Sequence, residues 1–232
     1  MPRFLSALCL LLATAQLHAQ KVEFRTLCFE PRGGITEISV PGPKDGETLA
    51  IPLYQDYSPV FETIAKDGVI DFTVPDPDAK GGQPSQKSIG SAKIPGSGPL
   101  LFVFLPGPSE EKPYHILTLK DDTTSFPWGH MRLLNIAKVP VRFHLGEHEG
   151  PKAKLVKPGA MIDVEPIRKL NAYNMFNVVI EFGTADGKFF TVNNTRWKAV
   201  KIKRSLAIAF VDARTEAPVV ALFDDIQPAV VE

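Results

Sequence analysis

The sequence predicts an all-β protein, two tandem antiparallel β-sandwich (immunoglobulin-like) domains after a signal peptide, and three observations carry that prediction. Short runs rich in β-branched and aromatic residues recur along the body, no long stretch repeats its apolar positions at a helical period, and Pro and Gly separate the runs. The 21 prolines in 232 residues are nearly twice the usual share of about 5%. They fall between the runs, where a residue without an N–H does not interrupt a ladder.

The N-terminal segment, MPRFLSALCLLLATAQLHAQ, reads as a secretory signal spanning 1–20: Arg3 gives the positive start, 4–15 the apolar core, and a polar stretch ends in the small Ala19. That core is shorter than the roughly 20 apolar residues a bilayer span needs. Cleavage near Ala19 would deliver the chain to the periplasm or the exterior, with no membrane span. Cys9 follows Leu8 inside the apolar core, where a lipobox wants a smaller residue, so a lipid anchor is not expected. Removing Arg3 with the signal leaves 25 Lys+Arg against 26 Asp+Glu, where the whole chain has 26 of each. So even a balance lacks the clustered cations that nucleic acid requires. The one basic run, RWKAVKIKR at 196–204, reads as a solvated connection between strands. Cys28 is then the sole cysteine, so no internal disulfide can form, and alternation makes it a small buried thiol.

Eight strands are expected in the first half, at 22–30, 36–40, 48–53, 60–64, 69–74, 87–94, 100–105 and 114–120. Eight more follow at 131–136, 139–145, 154–156, 161–164, 176–182, 188–192, 205–211 and 218–223. One immunoglobulin-sized sandwich uses about seven to nine strands, so the count implies two domains, 21–122 and 123–232. The boundary is expected at 121–129, where a polar DDTTS precedes Pro127 and Gly129. Ser58-Pro59 with Glu62 resembles a helix start, but Lys66-Asp67-Gly68 offers a hairpin turn to the alternating Ile70, Phe72 and Val74. Asp186-Gly187 between two β runs is the clearest hairpin, and 75–85 reads as a loop. The halves echo each other in strand series without an alignable repeat.

Phe126-Pro127-Trp128-Gly129 leads into a strand ending at Asn135, and Val139-Pro140-Val141-Arg142-Phe143-His144-Leu145-Gly146 follows, then Lys157-Pro158-Gly159. With Asn194-Thr195-Arg196-Trp197, the strand 204–210 and Asp224-Asp225, this pattern resembles small exported bacterial proteins of uncharacterised function. The resemblance covers about residues 100–225 and implies a secreted β-sandwich; it carries over no catalytic residue.

Several constellations bear on chemistry. His144, Glu147 and His148 are metal-donor types, but a zincin needs two His one helical turn apart, and Gly146 and Gly150-Pro151 place this piece at a strand end. Asp76-Pro77-Asp78 resembles the start of a calcium loop, with Gly81 at position six but Lys87 where the bidentate Glu should stand. The segment 183–188 is one residue too short for a phosphate loop. Trp128, Tyr173 and Trp197 are candidate platforms for a sugar ring, the two tryptophans equally suited to capping a core edge. With no cofactor motif and no nucleophile elbow, the expected role is non-enzymatic: binding, assembly or interaction in a bacterial envelope or exterior, with a protein or glycan partner. The alternatives are a carbohydrate-binding protein and a small hydrolase or metal-dependent enzyme with dispersed site residues.

Overall fold

A computed structural model describes residues 20–44, 46–76, 85–212 and 215–228. The signal segment up to Ala19, and Asp78 and Gly81 of the calcium-like loop, lie outside the described residues. Strands run in order as β1 (Gln20–Cys28), β2 (Glu37–Pro41), β3 (Thr48–Pro52), β4 (Phe61–Ala65), β5 (Val69–Pro75), β6 (Gln86–Lys93), β7 (Leu100–Pro106) and β8 (Tyr114–Lys120). They continue as β9 (Met131–Asn135), β10 (Val141–Leu145), β11 (Lys154–Val156), β12 (Met161–Val164), β13 (Met175–Gly183), β14 (Phe189–Lys198), β15 (Lys203–Val211) and β16 (Pro218–Ile226). Among the described residues the only helical piece is a single 3₁₀ turn, Gly150–Lys152, and no helix is long and apolar enough to cross a membrane.

The chain is all-β, in four sheets of four strands. The first half forms β4-β1-β7-β8 and β3-β2-β5-β6; the second forms β12-β9-β15-β16 and β11-β10-β13-β14. Adding eight to each label of the first pair gives the second pair. Most neighbours are antiparallel, but β1 runs parallel to β7, and β9 to β15. The halves therefore repeat one topology that the amino acids do not display. Packing explains the concealment. In the first core, rings of Phe24, Phe102, Phe72, Phe104 and Tyr114 follow one another at 5.1 to 5.5 Å. At the positions of Phe102 and Phe104, β15 carries Ala207 and Ala209, and the bulk of the second core comes from Phe143, Phe176 and Phe182 on β10 and β13. The large side chains sit on β7 in the first core and on the facing sheet in the second.

Local signals act as expected at the turns. Asp67 and Gly68 both take positive φ, of 53° and 70°, and Lys66 and Val69 exchange backbone hydrogen bonds, which makes a tight two-residue hairpin instead of a helix start. At Asp186-Gly187, the Gly187 N–H reaches the Thr184 carbonyl at 3.0 Å and closes the second hairpin. The basic run differs from expectation: Arg196 and Lys198 belong to β14, Lys203 and Arg204 to β15, and only 199–202 connects them. Arg204 is 3% exposed.

Alternation predicts one solvated face for β1, yet both faces are buried from Leu27 onward, and every residue of β9 is buried. The reason is a third apolar cluster between the β1 and β9 sheets. Leu27, Leu101, Val103, Leu105 and Leu119 meet Leu134, Leu206, Ile208, Phe210 and Phe223. Ladder registers make these counterparts: Leu27 with Leu134, Leu101 with Leu206, Val103 with Ile208, Leu105 with Phe210, Leu119 with Phe223. Each half thus offers the same face of the same sheet to the other, as in a two-fold pair. Ile208→Ala should cost about 2–5 kcal/mol, the range for truncating a buried large aliphatic, read as a lower urea midpoint. Unfolding of the unmutated protein should be one transition by both fluorescence and circular dichroism.

Candidate functional site

Two features occupy the seam between the halves. Toward the starts of β7 and β15 sits a ring of charge. Arg25 on β1 grips Asp121, which follows β8, through Nε and Nη2 at 2.7 and 3.0 Å. Its Nη1 and Nη2 reach Asp225 on β16 at 2.9 and 2.6 Å. Arg204 completes the ring, with Nη2 to Asp121 at 2.6 Å and Nε to Asp225 at 2.8 Å. Asp121 and Asp225 are themselves counterparts in the two halves, one position beyond the Leu100–Lys120 and Ser205–Asp224 pairs. Burial opposes the charged form of Asp225, but bonds and charge from Arg25 and Arg204 outweigh it and hold its carboxyl below the usual range. The phenol of Tyr57 lies beside the ring under Arg25, whose Cζ is 4.8 Å from the ring centroid. Burial, aided by the two carboxylates, pushes that phenol upward.

The same arginines pin the segment read as a domain boundary. Arg204 Nη1 donates to the carbonyls of Asp121 and Phe126 at 3.2 and 3.0 Å. Arg132 donates to the carbonyls of Lys120 and Ser125 while pairing with Asp163 at 2.6 Å. Phe126 takes two cations on its ring, with the Arg132 and Arg204 guanidiniums 4.3 and 5.1 Å from its centroid. Gly129 takes φ +85° and donates to the Lys203 carbonyl at 2.8 Å. The Phe-Pro-Trp-Gly element is therefore a clamp on the strand that follows.

Past the ends of β1, β7, β9 and β15, at the other end of the seam, lies an open cleft of about 460 Å³. Pro106, Ile136, Ala137, Val139, Phe210 and Val211 give it an apolar lining; Glu30, Arg32, Lys138 and Asp212 give it charge. Asn135 shapes it. The Asn135 amide donates to the carbonyls of Val139 and Val156 at 2.9 and 3.0 Å, and its oxygen accepts from the Ala137 N–H at 2.9 Å. That fully bonded, buried side chain sets the path of 136–139. Opposite, Phe29 meets Phe210 edge-on at 4.4 Å.

The metal-donor candidates separate. His144 Nε2 lies 3.0 Å from Glu181 Oε2, and the Gly150 N–H approaches its Nδ1 at 3.2 Å. That bond, with help from Arg142, lowers the Glu181 carboxyl. Glu147 instead accepts from the N–H groups of Arg168 and Lys169 at 2.9 and 3.1 Å; against its burial, these hold its carboxyl low. Gly146 permits the turn between them: φ is +55°, and a Cβ there would lie 2.7 Å from Ile167 Cγ2. Among the described residues, no three His, Cys, Asp or Glu side chains converge as metal ligands.

Nor do the three aromatic candidates assemble. Trp128 stacks on Arg204 at 4.7 Å, Trp197 meets Phe176 edge-on at 6.4 Å against the second core, and Tyr173 stands 76% exposed between β12 and β13. Burial pushes the Cys28 thiol up to about 11, so it stays protonated within the first core. Arg32 and Lys138 have no part in the sequence expectations, while Arg25 and Val139 enter them only as strand residues, Asp121 as a boundary residue and Arg204 as part of the basic run. A charged residue flanked by buried apolar neighbours, as in Met131-Arg132-Leu133-Leu134, is the signal that points to such a seam. No protein-family model matches the chain, and no curated protein is similar to it.

Asp225→Asn should cost about 3–5 kcal/mol at neutral pH, since it leaves the buried Arg204 and the half-buried Arg25 short of a counter-charge. The carboxyl is depressed in the fold, so its contribution is complete above the unfolded value near 3.8 and is lost as pH falls below it. Urea midpoints measured from neutral pH to pH 3 should therefore fall for the parent and change less for the variant.

Proposed function

We propose that the chain is an exported bacterial protein, a signal at 1–20 followed by tandem β-sandwich domains at 21–122 and 123–232, that acts by binding or assembly rather than by catalysis. The observation that carries the reading is the seam. Two repeats of one strand order are held face to face by an apolar cluster and a four-membered charge ring, with an open cleft built jointly by both. A fixed relation between two β units suits presentation of a surface, and clefts between units are favoured ligand positions. The eight-strand order supports reading each unit as a variant of the immunoglobulin-like sandwich, from whose ABED and CFG sheets it departs by the parallel β1–β7 pair.

Expression in a bacterial host should yield periplasmic or extracellular protein whose N-terminal residue, by mass spectrometry, is Gln20; an unprocessed cytosolic chain would count against export. The purified protein, assayed against ester, peptide and glycoside substrates, should show no turnover. Saturable turnover that follows the folded protein through purification would replace the binding role with the enzymatic one.

A further inference from the structure

The cleft past the ends of β1, β7, β9 and β15 has a chemistry more specific than its position. Its floor is apolar and preformed: Ile136 is held by its N–H to the Ala209 carbonyl at 2.9 Å, Val139 by Asn135, and Phe210 by the edge of Phe29. A wall already in place loses little ordering entropy when a ligand arrives. At about 460 Å³ it falls within the roughly 300–1,000 Å³ of small-molecule sites.

The rim is unequal in what it leaves unsatisfied. Its carboxylates are engaged, Glu30 by Arg32 Nη2 at 3.2 Å and Asp212 by the Thr215 N–H at 3.3 Å. Its donors are not. Arg32 Nε is buried with no hydrogen-bond partner among the described residues, and the exposed Lys138 has no ion-pair partner among them. The Arg32 backbone is fixed by its N–H to the Tyr114 hydroxyl at 2.8 Å. An occupant that complements this cleft has an apolar body and, at one end, an anionic acceptor.

We propose that the cleft binds a small amphipathic carboxylate, its hydrocarbon part on Ile136, Val139 and Phe210 and its carboxylate at Arg32 and Lys138. The proposal rests on the binding role argued above and names the ligand class of that site. Both halves are needed, because Arg32 comes from one and Lys138 and Phe210 from the other. No bond is made or broken.

Decanoate, kept below its aggregation concentration, and the uncharged 1-decanol are the probes, titrated into the purified protein by calorimetry. Decanoate should bind saturably at one site, with decanol weaker by about tenfold or more, as the loss of a charge-assisted hydrogen bond implies. Lys138→Glu, at an exposed position, should weaken decanoate by a similar factor and leave decanol unchanged. Ala137→Trp, with its melting temperature checked, should abolish both. Absence of saturable decanoate binding overturns the proposal, as do equal affinities for the two probes or full affinity in a folded Ala137→Trp variant. Those outcomes leave the wider binding role standing, whereas substrate turnover in the separate assays would remove that role itself.

Discussion

Two guanidiniums and two carboxylates taken out of water together are costly to bury, and the seam tolerates them only because each carboxylate is bonded by both arginines. Arg25 and Arg204 each span Asp121 and Asp225, so the ring is neutral and closed. Apolar burial along Leu27, Leu134, Leu206 and Ile208 supplies attraction but little direction, since one oily face can slide over another. The charge ring supplies direction. Displacing one sheet against the other would strand buried charge, which costs several kcal/mol. Register between the halves, the path of the 121–129 segment and the alignment of strand ends at the cleft all follow from that constraint.

The repeat shows how topology survives when side chains drift. Phe102 and Phe104 fill the first core from β7, while their counterparts Ala207 and Ala209 leave room for Phe143, Phe176 and Phe182 from the facing sheet. Compensation of this kind erases alignable similarity while leaving sheet order and seam intact. The seam positions keep their apolar character, with Val103 against Ile208 and Leu119 against Phe223.

Strand positions were legible because period-two alternation and turn residues are local. The runs at 114–120, 154–156 and 161–164 coincide with β8, β11 and β12, and Lys66–Val69 makes its hairpin. The seam was not legible, because burial on both faces depends on a partner sheet far away in sequence. Arg25 looks solvent-facing by alternation and is instead a half-buried pairing residue, since a second sheet covers part of that face. Arg204 looked like one member of a basic loop for the same reason. Asn135 was visible as the end of a strand, but its three bonds, and so its part in shaping the cleft, depend on where 137, 139 and 156 arrive.

Because each half presents the same face to the other, the seam has the form of an isologous homodimer interface placed inside one chain. Tethering changes its thermodynamics. Separate subunits would meet at a rate and affinity set by their concentration, whereas here the partner is always present at the effective concentration fixed by a short connection. Dilution cannot part the halves. Tethering also frees the symmetry: the cleft at the end of the seam need not carry the same groups twice, and the position of Glu30 in one half is taken by Ala137 in the other.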